Sequence, residues 1–217
     1  YDQLFASWDG QPWLRELQAV HTAVELRLPT GQLAKQPNPW AEEGITVTSK
    51  RYLSRILKVF EDGATGPIAG VDAACRRIAR HLGGDDAVLF AFGKLKKQGR
   101  IFEKLLSNDG KFDHIRDYAR AAFEVKDLTI FPRVLALLAA APEFEVLRAK
   151  NRLAPAWDPR DSAGYRDYQL LVKAPGAGWI IELQVIPTEL YTLKRTLGHG
   201  KTLESLEIVT AARPVAI

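Results

Sequence analysis

Apolar residues recur at helical intervals through the first third of the chain, then gather into short strand-like runs. Leu14, Leu17, Val20, Val24 and Leu28 keep the three- and four-residue spacing of an amphipathic helix opening at Pro12. Proline suits that first turn, where its missing N–H would have had no intrahelical partner. Residues 29–46 bring Pro, Gly and Asn38 together and read as a loop. A second helix is predicted from about Thr48 to Phe60, with Thr48 or Ser49 as its cap. Asp62-Gly63 and Gly66-Pro67 are expected to break it, and a third helix covers roughly Ile68 to Leu82.

Beyond Gly83-Gly84 the period shortens. Ala87 to Phe92 is a compact apolar run with the character of a buried strand, and Lys94 to Leu106 turns helical after it. Tyr118 to Val125 is predicted as a strand and Leu128 to Ala141 as a helix stopped by Pro142. Three strands follow at Phe144–Leu153, Tyr165–Lys173 and Trp179–Ile186, with Pro175-Gly176-Ala177-Gly178 as a hairpin loop. Thr188 to Leu197 reads as a last helix. This order predicts an α+β fold, a mixed β-sheet flanked by helices. Residues 1–84 form a helical extension or lid, and 85–217 an α+β core, in one continuous domain.

Composition narrows the class. The 217 residues suffice for a sizeable core. No apolar run approaches the roughly 18 residues of a membrane span, and Tyr1 to Gly10 has no signal-peptide pattern. The chain begins at Tyr1 and contains no methionine, so it is expected to be a piece of a longer protein. Its one cysteine, Cys75, excludes an internal disulfide and a thiolate cluster, and reads as a small buried hydrophobe. His21, His81 and His114 are expected at the surface or partly buried, without a site role. The net charge of +4 is modest, but basic residues concentrate at Lys94–Lys104 and Arg148–Arg166. Such clusters suit phosphate recognition, whether of a nucleotide or of RNA.

Strand geometry puts alternate residues on one face. On that basis Arg148, Lys150 and Arg152 share a face, as do Tyr165, Asp167 and Gln169, and again Glu182 and Gln184. A carboxylate inside the apolar run Trp179 to Ile186 is costly unless a cation meets it. Read singly, each residue has a plainer role. Glu182 fits a solvated sheet face, Lys94–Lys104 a solvated helix end, Lys150 and Arg152 an edge strand, and Tyr165 a core aromatic. Asp117 supplies a second carboxylate in the same half of the chain, and that company favours a site.

Taken in order, these pieces resemble the synthetase domains of the RelA/SpoT family. Gly164-Tyr165-Arg166-Asp167 is similar to that family's Gly-Tyr-Arg-Ser, and Glu182-Leu183-Gln184 to its Glu-x-Gln strand. The basic run Lys94–Lys104 resembles the ATP-binding segment, Asp117-Tyr118-Ala119-Arg120 the start of the metal-binding strand, and His199 a histidine near the domain's end. The likeness covers roughly residues 85–200. It implies a pyrophosphokinase that moves pyrophosphate from ATP to the 3′-hydroxyl of a purine nucleotide. In that reading Asp117 and Glu182 are catalytic and hold Mg²⁺, with Glu182 also accepting the hydroxyl proton. Lys94, Lys96, Arg100, Lys104 and Arg120 bind ATP; Arg100 and Lys104, four apart, share a helix face. Tyr165, Lys150, Arg152, Arg166, Gln169, Gln184 and His199 bind the acceptor, Tyr165 by stacking.

The sequence departs from the pattern at Ala122, where the family has arginine, at Gln169, where many members have histidine, and at Asp167, in place of serine. Arg120, two residues before Ala122, can face the same way and replace the arginine. The family's hydrolase domain is missing, so this stretch is expected only to synthesise. These features resemble interbacterial toxin domains, including type VI secretion effectors that make (p)ppApp. The implied setting is delivery into a target cell, action in its cytoplasm, and restraint by an immunity protein. Alternatives are (p)ppGpp synthesis from GDP or GTP, pyrophosphorylation of tRNA 3′ ends, and nucleotide or RNA binding without catalysis.

Overall fold

The computed structural model of the chain describes residues 2–31, 33–35, 50–93, 95–107, 114–158, 165–176 and 178–196. Helix α1 spans Asp2–Trp8, α2 Pro12–Glu25 and α3 Lys50–His81. Strand β1 (Val88–Phe92) leads to α4 (Gln98–Leu106), β2 (Ala119–Val125) and α5 (Phe131–Ala139). The strands β3 (Glu145–Asn151), β4 (Tyr168–Lys173) and β5 (Ile180–Pro187) precede α6 (Thr188–Thr196). The expected α+β architecture is present.

The five strands form one sheet in the order β1-β2-β5-β4-β3. Only the β2–β5 pairing is parallel; β1–β2, β3–β4 and β4–β5 are antiparallel. The two faces differ sharply. Ala119, Ala121, Phe123 and Val125 of β2 stand beside Ile181, Leu183 and Val185 of β5 on the apolar face. That face shares a single core with Trp13 and Leu17 of α2, Val71, Ala74, Cys75 and Ile78 of α3, and Val134, Leu135 and Leu138 of α5. Each such buried large side chain contributes roughly 1.5–3 kcal/mol. The helices before residue 84 therefore pack into the same core as the sheet. On the other face lie Arg120, Ala122, Glu182, Gln184 and Gln169, joined by cross-strand register.

The break expected near Gly63 to Pro67 does not occur; α3 runs unbroken for 32 residues. Glycine costs a helix interior about 1 kcal/mol and proline about 3. Those local penalties are outweighed by the packing of the helix's second half, where Val71, Ala74, Cys75, Ile78 and Ala79 are all buried. Cys75 has the predicted environment, and burial, with Asp72 and Glu143 adding to it against Arg76 and Arg77, pushes its thiol up to about 12. Helix α1 was not foreseen from the sequence; it is held by edge-on packing of Trp8 on Trp13. His81 is exposed and His114 half-buried. His21 is buried, and its Nδ1 meets the Tyr168 hydroxyl at 2.8 Å, tying α2 to β4. No helix among the described residues is long and apolar enough to cross a membrane.

Candidate active site

The polar face is assembled from two sides. On the first, β1 ends at Gly93, whose N–H donates to the Arg120 carbonyl at 2.8 Å. A Cβ at Gly93 would sit 3.0 Å from that same oxygen, so any other residue would need the two strands to part by a few tenths of an ångström. The Lys96 N–H then donates to the Tyr118 carbonyl at 3.0 Å, and this laces the segment to the start of β2. Lys96 is thereby carried to Asp117. Its Nζ donates to Asp117 Oδ2, and Lys104 Nζ reaches the same oxygen at 2.6 Å from α4.

Helix α4 is amphipathic, with Ile101 and Leu105 buried and Arg100 and Lys104 turned to a cleft that Lys97, just before the helix, also lines. Arg100 also pairs with Glu103 at 2.8 Å. The cleft has a volume of about 1070 Å³; Arg120, Ala122 and Gln184 of the sheet line it, with Tyr191 of α6. Five cations, Lys96, Lys97, Arg100, Lys104 and Arg120, thus border one opening. Such a concentration favours a polyanion. Of the residues expected to bind ATP, Lys96, Arg100, Lys104 and Arg120 come together here; Lys94 lies outside the described residues.

Glu182 stands cross-strand from Arg120 and from Leu171, only 7% exposed, and its Oε1 accepts from Gln184 Nε2 at 3.0 Å. Burial pushes its carboxyl up, and Asp117 and Asp167 push it further, against the opposing charges of Arg120 and Lys96. Asp117 is the opposite case. Burial works to raise it, but the hydrogen bonds and charges of Lys104 and Lys96 outweigh that and hold it below the usual range. Burial in turn lowers Lys96 despite its bond to Asp117. Two carboxylates near each other, pushed in opposite directions, form an arrangement frequent at catalytic centres.

The pair also suits a hard divalent cation. Asp117 Oδ1 is buried and has no hydrogen-bond partner among the described residues, so one carboxylate oxygen lacks the donor or cation that a buried oxygen needs. No group of three or more His, Cys, Asp or Glu suited to a metal occurs among those residues. The remaining positions around an ion would fall to water and substrate oxygens, the usual manner of Mg²⁺.

On the second side, β3 and β4 supply the acceptor-binding candidates. A bulge between Val146 and Arg148 shifts the register, so that Arg148 stands opposite Leu171 and Lys150 opposite Gln169. The bulge places Arg148 and Lys150 on the face that carries Glu182. Without the extra residue they would lie against the helical core. Arg148 Nη2 donates to Gln169 Oε1 at 3.3 Å, and Lys150 Nζ lies 4.4 Å from the centre of the Trp157 ring. Arg152 Nη1 bonds Asp167 Oδ1 at 2.6 Å, and the Tyr165 hydroxyl donates to Asp167 Oδ2 at 3.1 Å. Burial first, then the charge of Asp167, pushes that hydroxyl's pKa up, so it stays a donor. Tyr165 is also packed against the main core, so the plain expectation of a core aromatic is met in part.

Arg166 points elsewhere. Its guanidinium donates to the carbonyls of Ala154 and Trp157 at 3.3 Å and covers the Phe5 ring at 4.2 Å, bracing a loop and α1. His199 and Gly164 lie outside the described residues. Sequence reasoning passed over Lys97, Tyr191 and Trp157. Lys97 belonged to a basic run already singled out, and Trp157 followed a basic strand, whereas nothing local marked Tyr191.

The mixed sheet with its flanking helices has the fold seen in the small alarmone synthetases. Small alarmone synthetase 1 from Bacillus subtilis, bound to its product pppGpp, superposes with a TM-score of 0.53 at 17% identity, over 70% of this chain and 87% of that one. Small alarmone synthetase 2 from Bacillus subtilis matches with a TM-score of 0.51 at 16% identity, over 73% and 92%. A looser match, TM-score 0.43 at 20% identity over 73% and 78%, is the type VI effector Tas1 in complex with its immunity protein. No protein-family model and no curated protein matches the chain.

Proposed function

We propose that the chain is an ATP-dependent pyrophosphokinase whose acceptor is the 3′-hydroxyl of a purine nucleotide, with an adenine nucleotide preferred and (p)ppApp as product. One observation carries the reading: five cations border a cleft, the buried carboxylate Glu182 stands cross-strand from one of them, Arg120, and Asp117 is bonded to two others. The alarmone synthetase fold supports it, and one structure of that fold was solved with pppGpp bound.

The chemistry follows from the groups present. The 3′-oxygen attacks the β-phosphorus of ATP, the bond between the α- and β-phosphates breaks, and AMP leaves. Glu182 takes the hydroxyl proton; its raised affinity for protons makes it a better base than an exposed glutamate. Lys96, Lys104, Arg100 and Arg120 hold the phosphates and balance the charge that moves onto the leaving AMP. Asp117 keeps two of those ammonium groups at the cleft wall. Mg²⁺, when bound by Asp117 and Glu182, neutralises charge along the triphosphate.

The reading extends to a setting: a toxin domain that drains ATP in a recipient cell and is restrained by an immunity protein. Its support is the sequence likeness to such domains. Induced expression in a bacterium should arrest growth, and Glu182→Ala should relieve the arrest.

The decisive measurement is product analysis with γ-labelled ATP and Mg²⁺, given AMP, ADP, GDP, GTP or tRNA separately. A labelled adenine product that disappears with Glu182→Ala supports the proposal. Label on GDP or GTP alone would reassign the acceptor base, and label on tRNA the acceptor class. No label on any acceptor leaves the fold as a nucleotide binder.

A further inference from the structure

The acceptor side holds a buried charge that the transfer chemistry does not use. Asp167 is 0% exposed, yet it carries two directed contacts, Arg152 Nη1 at 2.6 Å on one oxygen and the Tyr165 hydroxyl at 3.1 Å on the other. The backbone repeats the link, since the Arg152 N–H donates to the Asp167 carbonyl at 3.0 Å. The Arg152 guanidinium carbon also lies over the Trp157 ring, 5.9 Å from its centre. Behind Tyr165 lies the main core. A tyrosine that touches both packed side chains and an ion pair has little rotational freedom left.

We propose that Asp167 is a positioning residue that locks the Tyr165 ring as a stationary platform for the acceptor base, with Arg152 serving as the counter-charge that lets Asp167 be buried. This rests on the pyrophosphokinase reading and concerns the acceptor half of that site alone. It also reassigns Arg152. Its charge is balanced internally, so the acceptor's phosphates fall to other groups, Arg148 and Lys150 being the cations on the same face. A serine at 167 would be too short and uncharged to do this. It could accept from a tyrosine, but it would leave the Arg152 guanidinium half-buried without a counter-ion.

Pre-organising an aromatic platform removes the ordering cost from each binding event, so its loss should appear in acceptor affinity. Three variants test this, Tyr165→Phe, Asp167→Asn and the double variant, with KM for ADP and for ATP, kcat and Tm measured on each. Tyr165→Phe keeps the ring and removes only the hydroxyl, so it should fold like the parent. The expected result is an ADP KM raised roughly tenfold by either single change, with ATP KM and kcat within about twofold of the parent. Asp167→Asn leaves Arg152 without its counter-charge and thereby loosens the group that the Tyr165 hydroxyl is bonded to, so the double variant should be no worse than Asp167→Asn alone.

An unchanged ADP KM in Tyr165→Phe overturns the inference, as does a double variant whose effect is the product of the two. A rise in both KM values together would also overturn it, since a general structural role has no reason to spare the ATP side. If Asp167→Asn fails to fold, Tyr165→Phe decides. Parent protein that transfers nothing to ADP or GDP overturns the pyrophosphokinase reading itself, an outcome distinct from an active parent with a silent Tyr165→Phe.

Discussion

The two halves of the polar face use cations in different ways. Beside β1 and α4 the outer charges stand on long, exposed stems, the side chain of Arg100 being 72% exposed and that of Lys104 46%, and Lys96 alone is held deep, against Asp117. Beside β3 and β4 the corresponding groups are held. Arg152 is 17% exposed and clamped to a fully buried Asp167, and Arg148 is bonded to Gln169. A triphosphate is flexible and offers oxygen on every side, so several adjustable point charges suit it. A base is flat and rigid, and its recognition needs a surface already in place. On the proposed function, burial divides the labour of this face between electrostatic capture and fixed shape.

The two carboxylates sharpen the comparison most. Glu182→Gln keeps the packing and removes the base, and should lower kcat by roughly 10²–10⁴ while ATP KM stays nearly constant. Activity in the parent should rise with pH through the raised Glu182 pKa, and Glu182→Gln should lose that limb. A pH–rate profile of both proteins reads this directly. For stability the sign is reversed. A carboxyl whose folded pKa is raised contributes most below the ordinary glutamate range and loses that contribution as pH rises through its folded pKa. Glu182→Gln should therefore gain Tm relative to the parent on the alkaline side.

Asp117→Asn should act oppositely and on a smaller scale in turnover. Its folded pKa is lowered, so its contribution is present above the ordinary aspartate range and lost as pH falls through the folded value. Removing its charge leaves Lys96, already partly desolvated, facing Lys104 without a counter-ion. Stability should fall by about 1–3 kcal/mol near neutrality, read as a drop in Tm that narrows in acid. ATP KM should rise with it.

The smallest effect is expected at the rim. Arg100→Ala removes an exposed cation and should raise ATP KM roughly three- to tenfold, more at low salt than at high salt, with ADP KM unchanged. Were Arg100→Ala to weaken ADP as much as ATP, the division between the two halves would fail.

Much of this site was legible before any coordinates. Glu182 and Gln184 stood out because two polar residues at strand spacing interrupt an apolar run, and β5 places both on the open face. Lys96, Arg100 and Lys104 stood out as a basic run, and the segment laced to β2 and the helix α4 after it bring them to one cleft. Arg166 illustrates the limit. Its place beside Tyr165 suggested the acceptor, yet its guanidinium is held by two backbone carbonyls from residues 9 and 12 positions away. Nothing in the local pattern distinguishes those two fates. The break expected in α3 had a similar origin, because glycine and proline report local preference while the core on the other side of the helix is invisible to it.

By itself the sequence determined the strands, the apolar core positions and the chemical types at the site, because alternation and helical spacing follow from backbone geometry within a few residues. Tertiary structure decided the rest. The bulge beyond Val146 chose which face Arg148 and Lys150 would occupy, because one inserted residue inverts the side-chain alternation after it. The meeting of Lys96, Lys104 and Asp117, and of Arg152, Asp167 and Tyr165, required chain segments 13 to 21 and up to 15 residues apart to close on one carboxylate each. Such closures depend on where the sheet and helices hold the backbone, and charge at that range carries no periodicity to read.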